Sequence, residues 1–198
     1  MLTLFLACAG PEEPPVVSAD TIDDTIDDTT DACVPLSALF FDLGSTLVYE
    51  GDDGLYAASP EAIAVLDALA DRDLALGVIT NVPADWERAD LEALLVDPAI
   101  LDRFSVVMLS SQATQPKPDP IIFTEAVALL ADPPALSRTA FVTEEADHLA
   151  DADPPTQGAQ AAGMIGVHLA VAASPLADHT VTPEALASLA DAEWLECL

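Results

Sequence analysis

Short apolar runs alternate with amphipathic segments from residue 35 onward. Five runs have the length and residue types of buried strands, at residues 38–41, 74–80, 105–109, 139–143 and 165–171. Helical patterns lie between the strands at residues 59–69, 83–95 and 118–130. A short helix is predicted to end at residue 162, and a last helix to begin at residue 182. The alternation predicts an α/β fold, a doubly wound (Rossmann-like) parallel sheet of about five strands with helices on both faces.

Polar side chains follow several of the predicted strands. Asp42 ends the first strand, Thr80 ends the second, and Glu144 and Glu145 follow the fourth. Lys117 lies in the loop after the third predicted strand, and it is the only lysine in a chain that has 35 acidic residues. Ligands of doubly wound sheets bind outside the carboxyl ends of the strands, so we expect these side chains to converge there.

This set of residue types is suited to phosphoryl transfer. The carboxylate of Asp42 can attack a phosphoryl group and form an aspartyl-phosphate that water then hydrolyses. The charge that develops on the phosphoryl oxygens needs a cation and hydrogen-bond donors, which Lys117, Thr80 and the turn 43–46 with Ser45 can supply. Mg²⁺ would reduce repulsion between Asp42 and the phosphate, and its candidate carboxylate ligands are Glu144, Glu145 and Asp147.

Four segments, in this order along the chain, resemble the motifs of the haloacid dehalogenase-like hydrolase superfamily. They are FFDLGSTL at 40–47, ITN at 79–81, LSS at 109–111 with KPDPIIF at 117–123, and GAQAAGM at 158–164. Each segment alone is a weak signal, but four in the right order and structural context are a strong one.

The resemblance implies a role for each matching residue. Asp42 would be the nucleophile and a magnesium ligand, and the carbonyl of Gly44 would be a second ligand. Thr80 and Asn81 would bind phosphate, and Lys117 would stabilise the negative charge of the phosphate. The function implied is that of a magnesium-dependent phosphatase acting on a phosphate ester.

The chain departs from the family pattern at two places. Gly44 stands where phosphatases of this superfamily carry a second Asp as general acid and base, and Thr143-Glu144-Glu145 replaces the usual Gly-Asp. Magnesium can still bind through Glu144 or Glu145, whereas His148 or water would have to replace the lost proton donor. The alternative is a catalytically degenerate envelope protein that keeps the fold as a binding or structural module.

The spacing of the motifs bears on substrate access. Only 37 residues separate Asp42 from Thr80, and 36 separate Thr80 from Lys117, too few for a folded cap beside the helix in each gap. We therefore predict a domain without a cap over residues 35–198, and an open site that admits bulky phosphorylated substrates. His168 is expected in the sheet and His179 in a polar loop, with Trp86 and Trp194 as packing residues.

Composition excludes some partners. The formal net charge of −30 excludes charge-driven binding to nucleic acid or to an anionic membrane surface. No apolar run reaches the ~18 residues that span a bilayer.

The start of the chain predicts a location. Residues 1–10 resemble the end of a bacterial lipoprotein signal with a lipid anchor at Cys8, and residues 11–34 read as a disordered acidic Thr/Asp/Pro tether. We expect a cell-envelope or periplasmic protein, with a cytoplasmic one as the alternative. Cys33 and Cys197 would then pair in a disulfide or remain two unrelated buried thiols.

Overall fold

The computed structural model describes residues 35–196, apart from the Trp194 side chain. The predicted lipid site at Cys8, the tether and the pairing of Cys33 with Cys197 lie outside these residues and stay predictions. No helix in the described part is long and apolar enough to cross a membrane.

Eight strands occur among the described residues. In chain order they are β1 (Ala38–Phe41), β2 (Val48–Glu50), β3 (Tyr56–Ala58), β4 (Ala75–Thr80), β5 (Val106–Leu109), β6 (Thr139–Thr143), β7 (Ile165–Leu169) and β8 (His179–Val181). Six of them form one parallel sheet in the order β5-β4-β1-β6-β7-β8, which confirms the predicted fold class. The edge strand β8 of this sheet was not predicted. His179 is the first residue of β8, so its predicted placement in a polar loop was wrong. Three residues are too short a run to show a period of two in the sequence.

Four α-helices lie among the described residues: α1 (Pro60–Ala70), α2 (Arg88–Leu94), α3 (Pro120–Ala128) and α4 (Gly158–Ala161). Short 3₁₀ helices span Pro98–Arg103, Leu136–Arg138, Ala146–His148, Pro183–Asp191 and Glu193–Leu195. The predicted final helix is therefore of the 3₁₀ type.

The second helix begins five residues later than its pattern predicted. The hydroxyl of Ser110 accepts a hydrogen bond from the Val82 amide at 2.9 Å and donates one to the Val82 carbonyl at 3.1 Å. The hydroxyl of Ser111 donates to the carbonyl of Trp86 at 2.7 Å. These side chains satisfy backbone groups that a helix would otherwise pair, so residues 82–87 stay outside α2.

The sheet has apolar clusters on both faces. Leu39 and Phe41 of β1 belong to one cluster with α1 and the 3₁₀ helix Pro183–Asp191, whereas Phe40 belongs to a second cluster with α3. This alternation follows from the period of two in a strand. The Phe40 ring lies against Gly77 of β4, where a Cβ atom would stand 2.3 Å from the ring. Glycine at position 77 thus lets the ring of the central strand pack across its neighbour.

A β-hairpin follows β1 and was not predicted. Strands β2 and β3 pair antiparallel, and the turn between them includes Gly54 with φ of 77°. The Asp53-Gly54 pair is a hairpin signal that the sequence carried. The amide of Val96 donates to the carbonyl of Tyr56 at 2.9 Å, so the hairpin is attached to the segment after α2.

Candidate active site

Asp42, the predicted nucleophile, follows the central strand β1 and is 7% exposed. Its amide donates to the Val142 carbonyl at 2.8 Å, which extends the pairing of β1 with β6 by one residue. Its Oδ1 accepts a hydrogen bond from the Leu43 amide at 2.8 Å. Backbone contacts on both sides therefore hold this carboxylate at the carboxyl edge of the sheet.

Lys117 lies directly against this carboxylate. Its Nζ is 2.6 Å from Oδ2 of Asp42, and the residue is 3% exposed. The predicted convergence of Lys117 with Asp42 is confirmed. The Nζ atom also lies 5.3 Å from the centre of the Phe141 ring. The carboxylate takes one of the three ammonium N–H groups at this distance, so the others can serve a further acceptor.

Burial and charge act in opposite directions on this pair. Burial by itself raises the pKa of Asp42, but the hydrogen bond from His148 and the charge of Lys117 outweigh burial and leave the pKa below its ordinary value. For Lys117, burial lowers the pKa, and the charge of Asp42 offsets this only in part. Burial therefore outweighs the attraction to Asp42 and leaves the pKa of Lys117 below its ordinary value.

Asn81 holds the backbone of Lys117. The Asn81 side chain donates from Nδ2 to the Lys117 carbonyl and accepts from the Lys117 amide at Oδ1, both at 3.0 Å. The resemblance implied a phosphate-binding role for Asn81. In the structure the side-chain amide positions the backbone of Lys117, and the phosphate-binding role stays a prediction.

The turn after β1 contains Gly44 and Ser45. The Ser45 amide donates to the Val48 carbonyl at 2.8 Å, and the Leu43 amide is taken by Asp42, so neither is free for a phosphate as predicted for this turn. Ser45 has φ of 57°, the left-handed region, and its side chain is exposed. At Gly44 a Cβ atom would meet nothing within 4 Å. Thr80 ends β4, is buried, and lines the same cleft as Gly44.

Two buried threonines that the sequence reasoning did not select complete the surroundings of Asp42. The Thr143 hydroxyl donates to Asp42 Oδ2 at 3.2 Å and accepts from the Glu145 amide at 3.1 Å. The Thr46 hydroxyl accepts from the Glu144 amide at 3.3 Å. Thr143 ends a strand, as Thr80 does, and that position was the available signal.

His148 lies between Asp42 and Glu145. Its Nδ1 is 3.3 Å from Oδ2 of Asp42, and its Nε2 is 3.1 Å from Oε2 of Glu145. The ring is 7% exposed. Carboxylate oxygens accept hydrogen bonds, so each ring nitrogen can donate to its neighbour only when both carry protons. His148 thus lies between the two carboxylates, with Nδ1 within hydrogen-bond distance of Asp42.

Metal-ligating atoms gather on the same side. One ligand atom each of Glu145, Asp147 and His148 lie within 4.8 Å of one another. The two carboxylates are ligands that Mg²⁺ prefers. The imidazole of His148 contacts both Glu145 and Asp42. Glu144, a predicted ligand, is not in this group, and its carbonyl pairs with Nε2 of His168 at 2.9 Å. The donor set is therefore compatible with a divalent cation, with Asp147 beside Glu145 in place of Glu144.

The profile of the haloacid dehalogenase-like hydrolase family matches residues 46–167, more than half of the chain. The chain belongs to this family. The matched range contains Thr80, Lys117 and Glu145, while Asp42 and Gly44 lie just before it. None of the curated proteins matches the sequence.

Solved structures of the family have a similar fold. A HAD phosphatase from Thermococcus onnurineus superposes with a TM-score of 0.59 at 17% identity, covering 78% of this chain and 97% of its own. CbbY from Rhodobacter sphaeroides, solved in complex with phosphate, has a TM-score of 0.57 at 14% identity, covering 78% and 96%. An L-2-haloacid dehalogenase has a TM-score of 0.57 at 14% identity, covering 80% and 100%. These proteins support the fold assignment of a HAD-like hydrolase.

Proposed function

We propose that this HAD-like hydrolase is a phosphatase that uses Asp42 as nucleophile on a phosphate monoester. The observation that carries the proposal is the contact between Lys117 and Asp42. A buried ammonium that touches the nucleophile and retains unpaired N–H groups is placed to receive phosphoryl oxygens. The phosphatase from Thermococcus onnurineus and the phosphate complex of CbbY support this choice within the family.

The chemistry divides into two displacements at phosphorus. An oxygen of Asp42 attacks, the bond from phosphorus to the ester oxygen breaks, and the alcohol leaves with a proton from solvent or from a donor. Water then attacks the aspartyl-phosphate, loses a proton to solvent, and releases inorganic phosphate and the free carboxylate. Lys117 and Thr80 meet the charge on the transferring group, and Asn81 keeps Lys117 in place.

The charges around Asp42 support a metal requirement. Lys117 faces three carboxylates, those of Asp42, Glu145 and Asp147, and the latter two act on it through their charge. A phosphate dianion would meet net repulsion in these surroundings. Mg²⁺ held by Glu145 and Asp147, with Asp42 and the Gly44 carbonyl as the ligands that the family resemblance implies, would supply the missing positive charge.

The test is phosphate release by the purified protein with and without Mg²⁺. Asp42→Asn should abolish release from p-nitrophenyl phosphate, because an amide cannot form the acyl phosphate. Asp132→Asn, at an exposed position away from the site, should retain the wild-type rate. Acid quenching during turnover should trap a phosphoprotein in the wild type and not in Asp42→Asn. Unchanged release by Asp42→Asn would exclude the aspartyl-phosphate route.

Gly44 favours a second candidate, a binding module that has lost turnover. The position of the usual general acid is empty, and general acids contribute roughly 10²–10⁴-fold to such rates. Under this alternative, inorganic phosphate would bind to the wild type and more weakly to Lys117→Met, while no phosphate ester would be hydrolysed. Calorimetry beside the release assay separates the two functions.

A further inference from the structure

A cleft of ≈ 250 Å³ adjoins the candidate active site. Gly44 and Thr80 form part of its lining, so the cleft begins where a substrate phosphate would meet Asp42. The hairpin contributes Tyr56, and the segment around α2 contributes Trp86 and Leu94. Trp86, which the helical pattern presented as a packing residue, thus lies in the wall of an open space.

The lining differs from the rest of this acidic protein. Most of the lining residues are apolar, and none of those in the described part carries a formal charge, although the chain has a net charge of −30. Four side chains of the lining carry polar atoms, those of Tyr56, Thr80, Asn81 and Trp86, and two of them have hydrogen-bond partners in the protein. The Asn81 amide holds Lys117, and the Tyr56 hydroxyl donates to Glu50 at 3.4 Å. This mainly apolar lining therefore fits an aromatic or aliphatic group better than a sugar or other polyol, whose hydroxyl groups would outnumber the polar partners.

Both walls are attached to the domain by hydrogen bonds. Ser111 holds the Trp86 carbonyl at 2.7 Å, and the Tyr56 carbonyl accepts from the Val96 amide at 2.9 Å. The cleft is therefore largely preformed, as ligand sites usually are. A cavity of about 150 Å³ holds benzene, so this volume suits a group of one or two aromatic rings.

Gly44 links the cleft to the chemistry. Its lack of a side chain leaves space at the entrance and also removes the usual proton donor. A phenol leaves as phenolate far more readily than an alkanol leaves as alkoxide, so an aryl ester needs this donor least.

Resting on the proposed phosphatase function, we propose that the substrate is an aryl phosphate monoester whose ring lies in the cleft against Trp86 and Tyr56. Asp42 attacks phosphorus, the bond to the phenolic oxygen breaks, and the phenolate leaves with the electron pair and takes a proton from water. Hydrolysis of the aspartyl-phosphate then proceeds as above.

The first experiment measures binding without any phosphate chemistry. Calorimetry with 2-naphthol should show saturable binding to the wild type, and Trp86→Ala should weaken it roughly tenfold or more, in the range that a gap in an apolar pocket costs. Trp86→Phe, which keeps a ring, should fall between the two. Leu129→Ala, a truncation at a position 62% exposed outside the cleft, should bind as the wild type does. Melting curves of each variant establish that it is folded.

The second experiment measures selectivity. The wild type should prefer 2-naphthyl phosphate over glycerol 3-phosphate in kcat/KM by roughly 100-fold or more, and Trp86→Ala should reduce that ratio about tenfold. Absence of 2-naphthol binding, or a ratio that Trp86→Ala leaves unchanged, overturns the aryl-site proposal even if the protein is a phosphatase. Binding of 2-naphthol that depends on Trp86, without hydrolysis of either ester, supports the aryl site and refutes the phosphatase function alone.

Discussion

Gly44→Asp is expected to restore the missing general acid. Position 44 follows Asp42 by two residues, and a Cβ atom there meets no other atom within 4 Å. Gly44 is not among the glycines with positive φ, so an L-residue can adopt its backbone conformation without strain. The new carboxyl group can therefore be introduced without a shift of the turn.

The size of the gain follows from the role of a proton donor. General acids contribute about 10²–10⁴-fold, and we expect the lower end, about 10²-fold, for a carboxyl group introduced without further changes. That factor corresponds to about 2.7 kcal/mol of activation free energy. The gain should appear with a poor leaving group, since a nitrophenolate leaves without protonation.

The assay compares kcat for glycerol 3-phosphate and p-nitrophenyl phosphate in the wild type, Gly44→Asp and Gly44→Asn. The Asn variant has nearly the same shape but no proton to give. We expect a rise for glycerol 3-phosphate in Gly44→Asp alone, and a loss of this gain as pH rises and the carboxyl ionises. Equal rates in the Asp and Asn variants, or an equal rise with both esters, would refute the reasoning.

The buried ion pair and the turn after β1 are expected to influence stability as well. Lys117→Met should lower the free energy of unfolding by about 3 kcal/mol, because Asp42 stays buried without its cation, and the double variant with Asp42→Asn should regain most of the loss in urea titrations. A double variant as unstable as Lys117→Met would contradict this. The folded pKa of Asp42 is lowered, so its stabilising contribution is complete above its unfolded pKa of about 4 and is lost as pH falls through the folded value. The difference in unfolding free energy between wild type and Asp42→Asn should therefore shrink in acid, and a constant difference would argue against this linkage. Ser45→Gly should raise stability by about 0.5 kcal/mol, since glycine adopts a φ of 57° without a steric cost; a lower melting temperature would count against strain there.

The local sequence pattern was sufficient to predict the central strands of the sheet and the edge at which the candidate site lies. The strands around Asp42 and Thr80 follow from apolar runs, and parallel strands bring their carboxyl ends to one edge. The motif order then placed Lys117 near Asp42, and the structure shows that contact. The start of α1 was also predictable, because the Ser59 hydroxyl caps the Ala62 amide at 3.0 Å within a single turn.

The tertiary structure decided what each side chain does at that edge. His148 and Thr143 contact Asp42 across more than 100 residues, and no local period encodes such a pairing. Asn81 contacts the backbone of Lys117 across 36 residues, through two hydrogen bonds. Contacts of this kind depend on how separate elements pack, so the sequence alone cannot assign them.

The cleft illustrates the same division. Its walls come from an unpredicted hairpin and from a segment whose helix begins later than its pattern suggests. The hydroxyls of Ser110 and Ser111 decide that conformation by taking the backbone groups of Val82 and Trp86. The sequence by itself therefore determined five strands of the sheet and the candidate residues at its carboxyl edge, whereas packing between distant segments determined the cleft beside them.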